Sequence, residues 1–178
     1  MCVILIGEIT REQHKLAKEQ NPDGFSLFTE KQGLIKQPKE WDVIKAIGEW
    51  GIWHYRIGTS GSKIDLNVHP FKICGDKYLL YHNGVLGEGK GILSDTHALA
   101  KTLKNVSLSS AQSIIAALAN TSGKFVIVSV RDPHELYIYG KWECDGGVLM
   151  SHKLYTYVPA GKAKTGFVYG GKSYGVYD

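Results

Sequence analysis

The second residue of the chain carries the side chain with the clearest potential for chemistry. Cys2 follows Met1 directly, so removal of one methionine would put a thiol and a free α-amine on the same residue. An α-amine has an unperturbed pKa of about 8 and can take up a proton near neutral pH. A thiol beside such a base is an activated nucleophile. We therefore expect covalent chemistry at Cys2, and the simpler alternative is a buried strand cysteine.

Further polar segments interrupt otherwise apolar elements. The first closes a predicted strand, the second contains a proline, the third leads into a glycine-rich loop, and the fourth begins a predicted helix. In chain order they are Trp53 to Gly61, Asn67-Val68-His69-Pro70-Phe71, His82-Asn83-Gly84 and Ser94-Asp95-Thr96.

Together with Met1-Cys2, these segments resemble the class II glutamine amidotransferases, which are N-terminal nucleophile hydrolases. The resemblance covers roughly residues 2–100. It rests on five motifs in order: Met-Cys, His-x-Arg-x-x-Thr-x-Gly, Asn-x-His-Pro-Phe, His-Asn-Gly and Ser-Asp-Thr. It implies that Cys2 attacks the side-chain amide of glutamine, forms a γ-glutamyl thioester and releases ammonia, with its own α-amine as the base.

The resemblance also implies a site for the amino-acid head of glutamine. Arg56 would bind the α-carboxylate through two parallel hydrogen bonds, with Thr59 at the same end of the pocket. Asp95 would bind the α-amino group. The structural alternatives are a surface arginine on a strand edge for Arg56 and a helix N-cap for Asp95.

The pair Asn83 and Gly84 matches the oxyanion hole of the family. The side-chain amide of Asn83 and the backbone N–H of Gly84 would point at the developing oxyanion, and the loss of one such donor costs about 10²–10³ in rate. The alternative is an ordinary Asn-Gly hairpin turn. The glycine-rich segment Gly84–Gly91 is interpreted as a mobile lid over the site.

The histidines are interpreted as supports rather than ligands. His54, His69 and His82 lie in the family motifs and would brace the pocket loops. Their spacing matches no zinc pattern, so neither a metal nor another cofactor is expected. A third possibility is a papain-like hydrolase that pairs Cys74 with His82.

The sequence departs from the family pattern at a few positions around these motifs. Ile57 stands where a larger aromatic residue is common, Ser60 where some members have histidine, and His97 where an acidic residue usually follows the Asp-Thr pair. These differences concern the shape and specificity of the pocket.

Composition limits the classes of protein to consider. The chain has 178 residues, 43% of them hydrophobic, and a formal net charge of +4 with no long basic run, so nucleic-acid binding is not indicated. Three cysteines without a CxxC pair argue against a disulfide scaffold. With no apolar run long enough to span a membrane, the chain is predicted to be a cytoplasmic protein with one domain over residues 1–178.

The pattern of elements predicts an α+β fold. Strands and hairpins alternate with helices, and the hairpins imply antiparallel pairing while the helices must cover sheet faces. We predict a four-layer αββα sandwich of two mainly antiparallel sheets flanked by helices. The tail, residues 159–178, is predicted to form an edge hairpin or an extension.

The leading hypothesis is a glutamine amidotransferase or glutaminase that supplies ammonia to a separate acceptor-modifying enzyme subunit. Two alternatives stay open. One is a hydrolase of another γ-glutamyl amide, and the other is a non-catalytic glutamine-binding or scaffold module.

Overall fold

The computed structural model describes residues 2–58, 62, 65–87, 91–152 and 154, and the backbone of four two-residue strands in the tail. Its helices are α1 Arg11–Gln20, α2 Glu40–Ala46, α3 Asp95–Thr102 and α4 Leu108–Ser122. The strands before the tail are β1 Val3–Glu8, β2 Gly24–Thr29, β3 Gly33–Lys36, β4 Trp50–Arg56, β5 Phe71–Ile73, β6 Tyr78–Gly84, β7 Gly123–Ser129, β8 Leu136–Tyr139, β9 Glu143–Asp145 and β10 Val148–Met150. Those of the tail are β11 Gly161–Lys162, β12 Val168–Tyr169, β13 Lys172–Ser173 and β14 Val176–Tyr177.

Two sheets form the centre of the molecule. The first has the strand order β11-β9-β10-β1-β4-β2-β3, and its strands pair antiparallel. The second has the order β14-β8-β7-β6-β5 and is antiparallel except for the β14–β8 pair. The strand that begins one residue after Cys2 is therefore central in its sheet and pairs directly with β4.

Three apolar cores separate four layers. The core between the sheets contains Ile4 and Ile52 from the first sheet and Leu79 and Val126 from the second. A second core packs the outer face of the first sheet against α1 and α2, and a third packs the outer face of the second sheet against α3 and α4. This arrangement confirms the predicted αββα sandwich.

The pleat of β4 shows how the sequence serves two cores at once. Trp50 and Ile52 belong to the core between the sheets, whereas Trp53 and Tyr55 belong to the outer core. Because side chains alternate along a strand, the side chain of Arg56 shares the inner face. The strand thus carries apolar packing residues at one end and polar residues at the other.

The observed helix ends agree in part with those predicted from the sequence. Thr10 and Gln13 form the predicted capping box at the start of α1. Helix α2 is shorter than its apolar spacing predicts, because it ends at Ala46 and Gly48 then adopts a φ of 82°. Trp50 consequently begins β4 instead of extending the helix, and Trp41 at the start of α2 is 63% exposed.

Several strands differ from the sequence prediction. The strand predicted from Val148 to Tyr155 ends at Met150, and the three-residue strands β5 and β9 were not predicted. In the tail, β12 and β13 pair antiparallel, while β11 and β14 add to the edges of the two sheets.

Within the described ranges, no helix is both long and apolar enough to cross a membrane. The assignment of residues 1–178 to one domain stays a prediction.

Candidate functional site

Cys2 lies at the end of the layer between the two sheets. The register of β1 and β4 pairs Val3 with Tyr55, which brings Cys2 next to the end of β4. Its Sγ lies 3.6 Å from the backbone oxygen of Ile57 and donates to it. Burial raises the pKa of the Cys2 thiol, while the Ile57 contact and the guanidinium of Arg56 act in the opposite direction. The thiol therefore needs a base to become a good nucleophile.

A small cleft opens beside this thiol. Its volume is about 20 Å³, which is about enough for one water molecule. A whole glutamine molecule is several times larger, so binding it requires the walls to move apart. The residues that line the cleft are Cys2, Arg56, Ile57, His69, His82, Gly84, Ser94, Asp95 and Thr96.

Arg56 forms one wall of the cleft and is not the surface arginine of the alternative interpretation. Its side chain is 2% exposed, and its Nη2 donates to the backbone oxygen of Ser62 at 3.3 Å. Gly24 pairs with Arg56 across β2 and β4, and a Cβ there would lie 2.7 Å from Cγ2 of Val68. Gly24 therefore packs against Val68 and Arg56 with no room for a side chain, and Arg56 lines the same cleft as the thiol.

Asp95 faces the cleft from the first turn of α3. The N-cap of this helix is Ser94, whose Oγ accepts from the N–H of His97, so the N-cap interpretation of Asp95 is wrong. The carboxylate of Asp95 instead accepts from the N–H of Leu86 at 2.8 Å and from its neighbour Thr96 at 2.6 Å. These donors fix the carboxylate at the start of α3, against the segment that follows β6.

Gly84 is required by its surroundings. A Cβ at this position would overlap the backbone oxygen of Ser122 and lie 2.6 Å from Nε2 of His82. Any side chain would push β6 away from the end of α4. Asn83 and Gly84 are the last residues of β6, so the simple Asn-Gly turn is also excluded.

Asn83 lies behind the cleft and is not among its lining residues. Its side chain is 1% exposed, and Nδ2 donates to Oγ of Ser151 at 3.0 Å. The structure therefore brings the Asn83 amide close to the strand of the nucleophile but directs one of its N–H groups at a serine.

The ring of His82 holds two helices together. Its Nε2 lies 3.1 Å from the backbone oxygen of Ser122, and its Nδ1 lies 2.9 Å from Oγ1 of Thr96. A carbonyl oxygen only accepts, so Nε2 carries the proton and Nδ1 accepts from the threonine. Neither nitrogen is left to deprotonate Cys74, which contradicts the papain-like pairing.

His54 and His69 are fully buried side by side, with ring centroids 4.2 Å apart. Burial lowers the pKa of both, that of His54 to about 3, so both rings are neutral near pH 7. His97 packs on Phe71 at 4.6 Å and does not line the cleft. In the part of the chain that the structure describes, no group of three or more candidate ligands could hold a metal ion.

Some predicted residues lie outside the part of the chain that the structure describes. Thr59 and Ser60 lie outside the described residues, as do residues 88–90 of the predicted lid. Conversely, the structure adds Ser122 and Ser151, whose contacts join segments distant in sequence, and no local pattern signals either. Thr96 belongs to a recognised motif, yet its contact with His82 was not predicted.

Comparison with known proteins finds a distant relative. No protein-family model matches the chain. The chain is 28% identical over 151 residues to a glutamine–fructose-6-phosphate aminotransferase (isomerizing) of Thermococcus kodakarensis. The match covers 74% of this chain and 23% of the relative, so the chain spans about a quarter of the length of that protein. The chain is thus a weak homologue of part of an enzyme whose name includes glutamine.

Proposed function

We propose that this chain is a glutamine amidotransferase whose Cys2 removes ammonia from the side-chain amide of glutamine. The observation that carries the proposal is that Cys2, Arg56 and Asp95 line the same cleft. A thiol flanked by a buried cation and a fixed carboxylate suits a substrate with one carboxylate, one ammonium group and one amide. The weak homology to an enzyme named for glutamine supports the same class of reaction.

The chemistry begins with the removal of Met1, which frees the α-amine of Cys2. This amine takes the thiol proton as the sulfur attacks the amide carbon, and then gives it to the departing ammonia. Water hydrolyses the resulting thioester to glutamate. The raised pKa of the buried thiol makes a neighbouring base necessary at neutral pH.

The remaining residues orient the substrate and stabilise charge. Arg56 binds the α-carboxylate, with Thr59 next to it, and Asp95 binds the α-ammonium group. Asn83 and Gly84 donate to the oxyanion that forms on the amide oxygen. His54, His69 and His82 support these walls as neutral side chains, and His82 does so through its two hydrogen bonds.

The fate of the ammonia belongs to the proposal as well. The name of the relative indicates that it acts on fructose-6-phosphate in addition to glutamine. For this chain we infer that a separate enzyme subunit uses the ammonia.

The decisive experiment combines intact-protein mass spectrometry with the glutamine analogue 6-diazo-5-oxo-norleucine and an assay of ammonia release. We expect one covalent adduct on Cys2 of Met-less protein, slower labelling in the presence of glutamine, and ammonia release from glutamine. Cys74→Ala and Cys144→Ala are the matched controls and should label normally, whereas Cys2→Ala should not label.

Two results would contradict the proposal. Folded, Met-less protein that forms no adduct and releases no ammonia is a binding module or scaffold. Faster turnover of γ-glutamyl anilides than of glutamine would instead assign the site to another γ-glutamyl amide.

A further inference from the structure

Ser151 joins the two sheets next to the nucleophile. It follows β10 in the first sheet. Its hydroxyl is within hydrogen-bond distance of β1 in the same sheet and of β6 in the other sheet. Its Oγ accepts from the N–H of Ile4 at 2.8 Å and from Nδ2 of Asn83 at 3.0 Å. Ile4 lies on β1, two residues after Cys2, whereas Asn83 lies on β6 of the other sheet.

The pairing of Ser151 with Ile4 departs from a regular antiparallel ladder. In a regular hydrogen-bonded pair each residue donates its N–H to the carbonyl of the other. The N–H of Ser151 does donate to the carbonyl of Ile4 at 2.9 Å, but the return bond goes to the hydroxyl of Ser151. The serine side chain thus replaces a backbone carbonyl, and the carbonyl of Ser151 lies 3.5 Å from Nδ2 of Asn83.

This geometry restrains the amide of Asn83. One N–H has a short bond to a hydroxyl oxygen, and the 3.5 Å contact of the same nitrogen is at the outer limit of hydrogen bonding. An amide nitrogen carries two hydrogens in a fixed plane, so anchoring one sets the direction of the other. The 3.5 Å contact is weak, so the second hydrogen is available to a stronger acceptor while the first bond is kept.

We propose that Ser151 is a positioning residue, which holds the Asn83 amide so that its second N–H meets the oxyanion formed at Cys2. The inference rests on the proposed glutamine hydrolysis and adds a residue that no sequence motif marks. Ser151 is 3% exposed and is not among the described residues that line the cleft, so we infer that it acts through Asn83. Its contribution is to fix the donor before the reaction begins, which avoids reorganisation in the transition state.

The first test measures glutamine hydrolysis by Ser151→Ala. We expect kcat to fall about 10- to 100-fold, less than the loss from a missing oxyanion donor, with KM close to that of the unsubstituted protein. An unchanged or increased kcat would overturn the inference, and an increase would mean that Ser151 withholds the amide from the reaction.

A second measurement distinguishes an effect of Ser151 on Asn83 from an effect on β1, the strand that follows Cys2. Alkylation of Cys2 by iodoacetamide passes through no oxyanion, so its rate should stay the same in Ser151→Ala. A fall in alkylation that matches the fall in kcat would show that the serine acts on Cys2 through Ile4, which contradicts the proposed role.

The third test repeats the substitution in an Asn83→Ala background. If the serine acts through the amide, Ser151→Ala has no further effect on kcat there. An equal fold-decrease in kcat in both backgrounds would overturn the inference.

Ser151→Thr and Ser151→Val provide a further comparison, because the two side chains have the same shape and differ in the hydroxyl. The threonine variant should retain more activity than the valine variant.

The outcomes distinguish this inference from the function on which it rests. Unsubstituted, Met-less protein without ammonia release or an adduct on Cys2 rejects both. If the unsubstituted protein is active but Ser151→Ala has the same kcat, or if Ser151→Val has the same kcat as Ser151→Thr, only the role of Ser151 is rejected.

Discussion

The layer between the two sheets has an apolar end and a polar end. Along each of four strands, the side chain that faces the other sheet changes from hydrocarbon to polar over a few residues. The pairs are Ile6 and Cys2 around β1, Phe28 and Ser26 in β2, Ile52 and Arg56 in β4, and Leu79 and Asn83 in β6. The pleat and register are the same at both ends, so one scaffold separates stabilisation from the proposed chemistry.

The two ends meet different physical demands. Each side chain buried at the apolar end removes hydrocarbon from water, which favours folding without directional contacts. At the polar end each buried group needs a hydrogen-bond partner or a neutral form. Asn83 has Ser151, and burial keeps His54 neutral. We therefore expect substitutions at the polar end to affect activity first, and those at the apolar end to affect stability first.

The largest expected effect is at the thiol. Cys2→Ser keeps a small residue that permits the removal of Met1, but a hydroxyl is a far weaker nucleophile than a thiol. We expect glutamine hydrolysis to fall by at least about 10³-fold, with little change in the melting temperature. Ammonia release and a thermal melt measure the two quantities. More than a tenth of the original activity would contradict this division of the layer.

The opposite effect is expected at the apolar end. Ile52→Ala truncates a fully buried side chain and should lower the free energy of unfolding by about 2–5 kcal/mol, as measured in urea. The activity of the remaining folded molecules should be near normal. Ile44→Ala is the matched control, because Ile44 is 48% exposed and its loss should cost within about 0.5 kcal/mol. Similar losses at both positions would contradict the expected contrast.

A smaller effect on activity is expected at Arg56. Arg56→Lys keeps the charge but loses the paired donors that fit a carboxylate. We expect the KM for glutamine to rise about 10- to 100-fold, the equivalent of one charge-assisted hydrogen bond, with a smaller change in kcat. Initial rates over a range of glutamine concentrations measure both. Arg131→Lys, at an exposed position, should leave KM unchanged; the same rise in both variants would sink the assignment of Arg56 to the α-carboxylate.

The most modest effect concerns pH. The pKa of buried His54 is lowered to about 3, mainly by desolvation, with Arg56, His82 and Lys36 as nearby groups. The unfolded chain binds a proton there at a higher pH than the folded chain, so stability is complete above the ordinary histidine pKa of about 6.5. It then declines as the pH falls from that value towards 3.

His54→Gln removes this titration and should make the decline in stability with acid less steep. Urea unfolding of both proteins between neutral pH and about pH 4 measures the slopes. His69 is buried next to His54 and has a lowered pKa as well, so part of the decline should remain. Parallel curves for the two proteins would show that His54 is not a neutral buried side chain.

The sequence predicts local features of the fold well. The capping box of Thr10, the hairpin that became β2 and β3, and the αββα layering follow from short-range patterns. The length of α2 does not, because its apolar spacing continues to Trp50 although Gly48 ends the helix. The three-residue strands are too short to show an alternation.

The same distinction between local and long-range features applies to the candidate site. Motifs carried on single segments supply residues that the structure brings to one cleft, such as Arg56 on β4 and Asp95 on α3, and their roles there stay predictions. Contacts between distant segments were not foreseen, because nothing near Ser151 in the sequence indicates that Asn83 is 68 residues away along the chain and 3.0 Å away in space. The same limit applies to Ser122, whose backbone oxygen requires Gly84 to lack a side chain.

The way in which Asp95 is held has a consequence for turnover. Two peptide N–H groups already share the negative charge of its carboxylate. If Asp95 binds the α-ammonium group as proposed, that group gains less from this carboxylate than it would from a bare one. Glutamine and glutamate share the same amino-acid head. Binding that is equally tight for glutamine and glutamate would slow the release of glutamate without accelerating the reaction. In the proposed role of Asp95, the partly neutralised carboxylate would bind the correct amino-acid head and still let glutamate leave.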